Sequence, residues 1–148
     1  LVSCLHAQFD VDLSRIYSTG MSAGGLWTSY LTTWRSNVLA ATAPLSGGVN
    51  TPYYESPEMP IPVLLPWRGP SDTYAGYSFH TANLEFSESL RGDGHFVAEC
   101  EHSSGHSIPQ RAAKFTWEFL WDHPKGLEQE PYETGLPSVF PNYCRLPE

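Results

Sequence analysis

The sequence predicts an α/β fold with about four mainly parallel strands flanked by helices. Three observations carry this. Apolar spacing alternates along the chain between helical and strand-length patterns. A serine stands between two glycines, Gly20-Met21-Ser22-Ala23-Gly24, where a strand-length run gives way to a helical one. The chain has 148 residues, 41% hydrophobic and 16% charged, which suffices for one packed core and is too apolar for disorder.

Leu1, Leu5 and Phe9 recur four apart and predict the end of a helix. "RIYST" (15–19) is β-prone and ends at Gly20, so it reads as a strand. Ala23, Leu26, Trp27, Tyr30, Leu31 and Trp34 follow at helical spacing, which fades near Ser36 and Asn37. On that reading Trp27 and Trp34 belong to the buried face. "VLAATAPLS" (38–46) has strand length and closes on Gly47-Gly48; periodicity leaves the helical reading open too. Residues 49–60 read as a surface loop.

"IPVLLPW" (61–67) predicts a third strand with Pro62 and Pro66 near its ends, because proline cannot donate to a ladder. "RGPSDTYAGY" is turn-forming. Phe79, Ala82, Phe86 and Leu90 predict a helix ended by Gly92-Asp93-Gly94. "HFVAEC" (95–100) is the fourth strand. Pro109 suits the first turn of a last helix carrying Ala112, Ala113, Trp117 and Leu120. Residues 1–123 thus read as one catalytic portion and 124–148 as an irregular proline-rich tail.

Net charge is −8, with no lysine- or arginine-rich run. A phosphate backbone is repelled, so nucleic acid is excluded as a partner. No apolar run approaches the ~20 residues of a membrane-spanning helix, so no membrane is expected. The chain begins at Leu1 without a signal-peptide pattern; a mature form, a trimmed form and a fragment are all open.

Gly-x-Ser-x-Gly at a strand-to-helix junction places a serine on a strained elbow. Gly20 and Gly24 leave room for close packing there. The hydroxyl projects at the carboxyl end of the sheet, where open α/β sheets bind ligands. The Ala23 N–H, at the helix start, faces a developing oxyanion. A serine nucleophile needs a base and an orienting acid. Asp72 follows the third strand and His106 the fourth, so three roles fall at three strand ends. Rivals read as structural: Asp93 lies in a turn at the wrong end, His102 sits beside Cys100, and His6, His80, His95 and His123 fall on helices or strand starts. His102 and His106 lack a third ligand, so no metal is expected.

These blocks, "DLSRIYSTGMSAGGLWTSYL", "APLSGG", "GPSDTY" and "GHSIP", resemble the polyhydroxybutyrate depolymerase, feruloyl esterase and acetyl xylan esterase group of α/β-hydrolases, over about residues 1–123. The resemblance implies the C-terminal half of an α/β-hydrolase fold. It also implies Ser22 as nucleophile, His106 as base and then acid, and Asp72 as the histidine's partner. Such proteins are secreted and cleave polyester or cell-wall esters without a cofactor. Trp67-Arg68-Gly69 departs from that group's His-Gly before the acid loop. Only about 15 residues precede the elbow strand, so the first half of the sheet, with its second oxyanion donor, is expected to be absent. The expected consequences are a separate chain carrying that half, self-association through the exposed strand edge, or a truncated form of little activity.

Trp67 and Tyr74 flank Asp72 and are candidates to stack on substrate; Tyr53 and Tyr54 are further ones. Cys100 and Cys144 either form a bridge that pins the tail to the sheet or are two buried thiols. Cys4 is expected to be buried or paired with an absent segment. Few lysines, many aromatics and 13 prolines suit a secreted or periplasmic protein. The leading expectation is a serine esterase with no cofactor. The alternatives are a prolyl-oligopeptidase-like peptidase and a non-catalytic carbohydrate-binding remnant.

Overall fold

A computed structural model describes residues 2–148; Leu1 lies outside the described residues. Short helix α1 (Val2–His6) has no buried residue, and Leu5 and Phe9 are exposed. A single 3-10 turn, Leu13–Arg15, is capped by the Asp12 carboxylate, which accepts the Ser14 N–H. Then come β1 (Tyr17–Met21), α2 (Ala23–Trp34), β2 (Ala41–Leu45) and β3 (Val63–Trp67). A small hairpin, β4 (Thr73–Tyr74) and β5 (Tyr77–Ser78), leads into α3 (Phe79–Gly92). The chain finishes with β6 (Val97–Glu101), α4 (Ala112–Asp122) and β7 (Cys144–Arg145).

The main sheet runs β1-β2-β3-β6-β7. Its first four strands are parallel, and β7 joins β6 antiparallel. The ambiguous run 38–46 is a strand, buried at every residue of β2, as a parallel strand covered on both faces must be. Between β2 and β3, paired parallel at Thr42 and Val63, the backbone bonds include Thr42 N–H to Pro62 O and Ser46 N–H to Pro66 O. Pro44, midway, has no N–H to give.

Residue parity divides the core. Leu64, Ala98 and Cys100 point to α4 and the tail, where they meet Phe115, Phe119, Tyr132 and Phe140. Val63, Leu65, Trp67 and Val97 point the other way, onto Phe86 and Leu90 of α3. α2 lies on that second side, since Thr42, out of phase with Ala41 and Ala43, bonds Thr32 at 2.8 Å.

α3 buries the residues its spacing picks out: Phe79, Ala82, Phe86 and Leu90. α2 does the reverse. Its buried face is Gly25, Thr28, Ser29, Thr32 and Thr33, while Trp27 is 61% exposed and Trp34 46%. The helix crosses the sheet too closely for large side chains. A Cβ on Gly25 would stand 2.4 Å from the Leu45 carbonyl oxygen, and Thr28 shares a 3.1 Å hydroxyl bond with Ser18. Trp27, Tyr30 and Trp34 stack on one another along the outer side, with ring centroids 5.1 and 5.7 Å apart. α4 shows a milder version. It starts three residues after Pro109, at Ala112, following Arg111 in a left-handed conformation, and Trp117 and Trp121 stack outward.

Cys100 and Cys144 face each other across β6 and β7 and form a disulfide. Cys4 is exposed. The bridge spans 44 residues, so its removal should destabilise by roughly 3–4 kcal/mol on the chain-entropy model. Cys144→Ser should therefore lower the urea midpoint clearly; an unchanged midpoint would show that the tail's packing holds without the bond. Among the described residues no helix is long and apolar enough to cross a membrane.

Candidate active site

Four parallel strands deliver four loops to one rim of the sheet. The loop after β1 carries Ser22, with φ 56° and ψ −115°. Such positive φ is uncommon for a residue other than glycine and marks stored strain. Two features hold it. The Ser22 N–H donates to Leu45 O at 3.0 Å. The chain also folds back so tightly that a Cβ on Gly20 would lie 2.7 Å from Gly24 O. A Cβ on Gly24 meets nothing within 4 Å, so of the two motif glycines Gly20 is the one the elbow needs.

Ala23 opens α2 and is exposed. As the first helical residue, its N–H has no acceptor within the helix and is free for an anion.

Asp72 follows β3 and is fully buried. His106 lies in the loop after β6. Its Nε2 is 2.9 Å from Ser22 Oγ, and its Nδ1 is 2.6 Å from Asp72 Oδ1. With Nδ1–H given to the carboxylate, Nε2 is left to accept the serine proton. The three side chains, 84 and 34 residues apart in the chain, therefore form one hydrogen-bonded line.

The other Asp72 oxygen, Oδ2, accepts from the Ser46 hydroxyl at 2.7 Å and from the Arg68 N–H at 3.0 Å. Burial raises the carboxyl's proton affinity. The bonds from Arg68, Ser46 and His106 outweigh that and hold it below the usual aspartate range. Ser46 is not among the candidates read from the sequence. Its only signal there is its place, at the end of the second strand before Gly47-Gly48.

Two rings also stack on the imidazole: Phe79, with centroids 4.7 Å apart, and Tyr74, at 6.0 Å and 13°. Tyr74, at the hairpin tip, is 67% exposed and stands at the mouth of the site. Trp67 must be corrected: it is fully buried in the core, and its Nε1–H donates to His80 Nδ1 at 3.0 Å. The indole points inward from β3 onto the α3 side, so neither ring face is open to a substrate.

Three further histidines are occupied elsewhere. His95 is buried beside the Ile61 backbone, and burial lowers its proton affinity. His123 is buried against Phe119 O and Glu130. His102 is buried, and burial lowers its proton affinity against the pull of Asp72. Asp93 accepts from the Tyr54 hydroxyl at the far end of α3, while Tyr53 is exposed in a surface turn. Among the described residues no group of three or more ligating side chains could hold a metal.

A hollow of about 570 Å³ lies at the opposite end of the sheet, between Arg91, His95 and the tail. A smaller one of about 230 Å³ opens beside β1, lined by Thr19, Leu45, Ile108, Ala112, Trp117 and Leu120. It is apolar; Thr19 and Ile108 of its lining stand three residues before Ser22 and two after His106 in the chain.

No protein-family model matches the chain, and no curated protein matches it. Solved structures do. The native sOPH structure superposes with a TM-score of 0.73 at 20% identity, over 97% of this chain and 56% of that one. The native pOPH structure gives 0.67 at 20% identity, over 95% and 58%. The chain has an α/β-hydrolase fold. An acylaminoacyl peptidase from Pyrococcus horikoshii shares this α/β-hydrolase arrangement, with a TM-score of 0.65 at 19% identity over 87% of this chain and 27% of that one. The chain spans a little over half the length of the pOPH and sOPH chains. At these identities the likeness establishes the fold; the chemistry rests on the side chains above.

Proposed function

We propose that this protein is a serine hydrolase that cleaves carboxylic esters through an acyl-enzyme. The Asp72–His106–Ser22 line at the carboxyl ends of three parallel strands carries the reading. Ser22 Oγ attacks the ester carbonyl carbon as its proton passes to His106 Nε2. Asp72 holds the imidazole by Nδ1 and offsets the charge it gains. The carbonyl oxygen, now an oxyanion, takes the Ala23 N–H. Collapse expels the alcohol, which leaves with the proton from Nε2. Water then repeats the sequence, releasing the acid and restoring Ser22. No cofactor is required. The apolar hollow beside β1 is a candidate for an apolar acyl group, and the exposed Tyr74 ring beside the imidazole is a candidate to touch the substrate.

The motif blocks favour polyester or plant cell-wall esters. The likeness to an acylaminoacyl peptidase keeps peptides as the second reading. A single panel of p-nitrophenyl esters of increasing acyl length and fluorogenic peptides separates the two. A fluorophosphonate probe tests the nucleophile itself: it should label Ser22, and absence of labelling overturns the hydrolytic reading. The disulfide suits an oxidising compartment, in keeping with a secreted or periplasmic protein.

Catalysis also needs a second oxyanion donor and a covered β1. Among the described residues β1 pairs with β2 alone, and Thr19 at its centre is exposed. Parallel strands are normally covered on both faces, and a free edge templates pairing. The active form is therefore one in which another polypeptide segment or a second copy adds a strand beside β1. Light scattering on the isolated chain should show association, with turnover rising as it does; full activity in a monodisperse monomer of this chain would refute that requirement.

A further inference from the structure

β2 ends at Leu45, and the next residue turns sharply: Ser46 has φ 43°. Glycine or asparagine takes that left-handed conformation most readily, yet the chain has a serine there. The turn aims its hydroxyl at Asp72. Both residues are buried, with Ser46 Oγ 2.7 Å from Asp72 Oδ2. The Arg68 N–H meets the same oxygen at 3.0 Å. Oδ1 is thereby left for His106 Nδ1 at 2.6 Å.

We propose that Ser46 is a positioning residue, whose hydroxyl sets the rotation of the Asp72 carboxylate so that one oxygen faces the His106 imidazole. This rests on reading Ser22, His106 and Asp72 as a hydrolytic centre. The bond is made to a group the reaction never needs to protonate, so it acts on geometry and on the ionised state together. A hydroxyl donor favours the carboxylate form. The titratable and charged groups around Asp72 are few: His106 from the loop after β6, His102 from the end of β6, and Arg68 from the end of β3. Ser46, from the end of β2, adds a donor without a charge. Without it Oδ2 keeps one donor, the carboxylate is free to turn, and its proton affinity rises.

Two variants test this. Ser46→Ala removes the hydroxyl. Ser46→Gly removes it and relaxes the left-handed backbone, so a folding defect in the alanine variant does not decide the matter. Carbon-detected NMR of the Asp72 carboxyl should show it titrating at higher pH in both variants than in the native protein. Fluorophosphonate labelling at neutral pH should slow roughly 10- to 100-fold, the usual reach of a bond to a charged group. The acid limb of its pH profile should move up, with the number of labelled sites unchanged. A merely structural defect would reduce the number of sites and leave the limb in place. A folded Ser46→Gly protein whose Asp72 titration and labelling profile coincide with the native ones overturns the proposal. If the native protein takes no label, the hydrolytic reading falls by itself, and the carboxyl titration still reports on Ser46.

Discussion

Replacing Ser22 with alanine should reduce p-nitrophenyl ester turnover by a factor on the order of 10⁴–10⁶, to the level that binding and oxyanion contacts alone provide. The reason is geometric. Among the described residues only Ser22 Oγ lies within hydrogen-bonding distance of His106 Nε2, at 2.9 Å, so no neighbouring hydroxyl there can take over the attack. Asp72→Asn should cost about 10⁴, because an amide at that place no longer fixes the imidazole proton on Nδ1. The two losses should not add: once Ser22 is gone, orienting the base gains nothing, and the double variant should match Ser22→Ala. Single-turnover assays on the assembled form give these numbers. Turnover in Ser22→Ala close to the native rate would remove Ser22 from the reaction, and with it the mechanism.

The second large effect falls on stability. Gly25→Ala should destabilise by about 1–3 kcal/mol or more, as overpacking into unyielding backbone does. The added methyl would stand 2.4 Å from Leu45 O and 3.1 Å from the Gly47 Cα. Those atoms belong to the end of β2, which also holds Ser22 through the Leu45 carbonyl. The elbow should therefore loosen as the fold weakens. Gly24→Ala, one residue earlier, should be neutral or stabilising by up to about 1 kcal/mol, since its Cβ meets nothing and alanine favours helix. Urea midpoints for the pair provide the check. Equal loss at both positions would show that the close crossing of α2 over β2 is not what requires glycine.

These two neighbouring glycines also show where the sequence was readable. The spelling Gly20-x-Ser22-x-Gly24 marks an elbow, because a strand-length run and a helical run meet there. It does not say which glycine carries the steric load. Gly20 carries it at the elbow, and Gly25, outside the motif, carries it where α2 lies against the end of β2. The same contact reverses the face of α2. Trp27, Tyr30 and Trp34 form the apolar stripe that periodicity picks out, but the seam is built from Gly25, Thr28, Ser29 and Thr32. α3 has no such close crossing, and its Phe79, Ala82, Phe86 and Leu90 are buried as their spacing predicts.

The order of the main helices and the four parallel strands, and the places of Ser22, Asp72 and His106 just beyond three of them, are determined by the sequence itself; the β4–β5 hairpin and the antiparallel β7 in the tail are not. Each of the former depends on neighbours within one turn or one strand, and a parallel sheet then collects strand ends on one rim. Which side of α2 and of the end of β3 is buried was decided only in the tertiary structure. That is why Trp67 turned from substrate to core, and why Ser46 gained Asp72 as a partner 26 residues away. Both outcomes depend on how closely separate elements approach, a distance that no local spacing encodes.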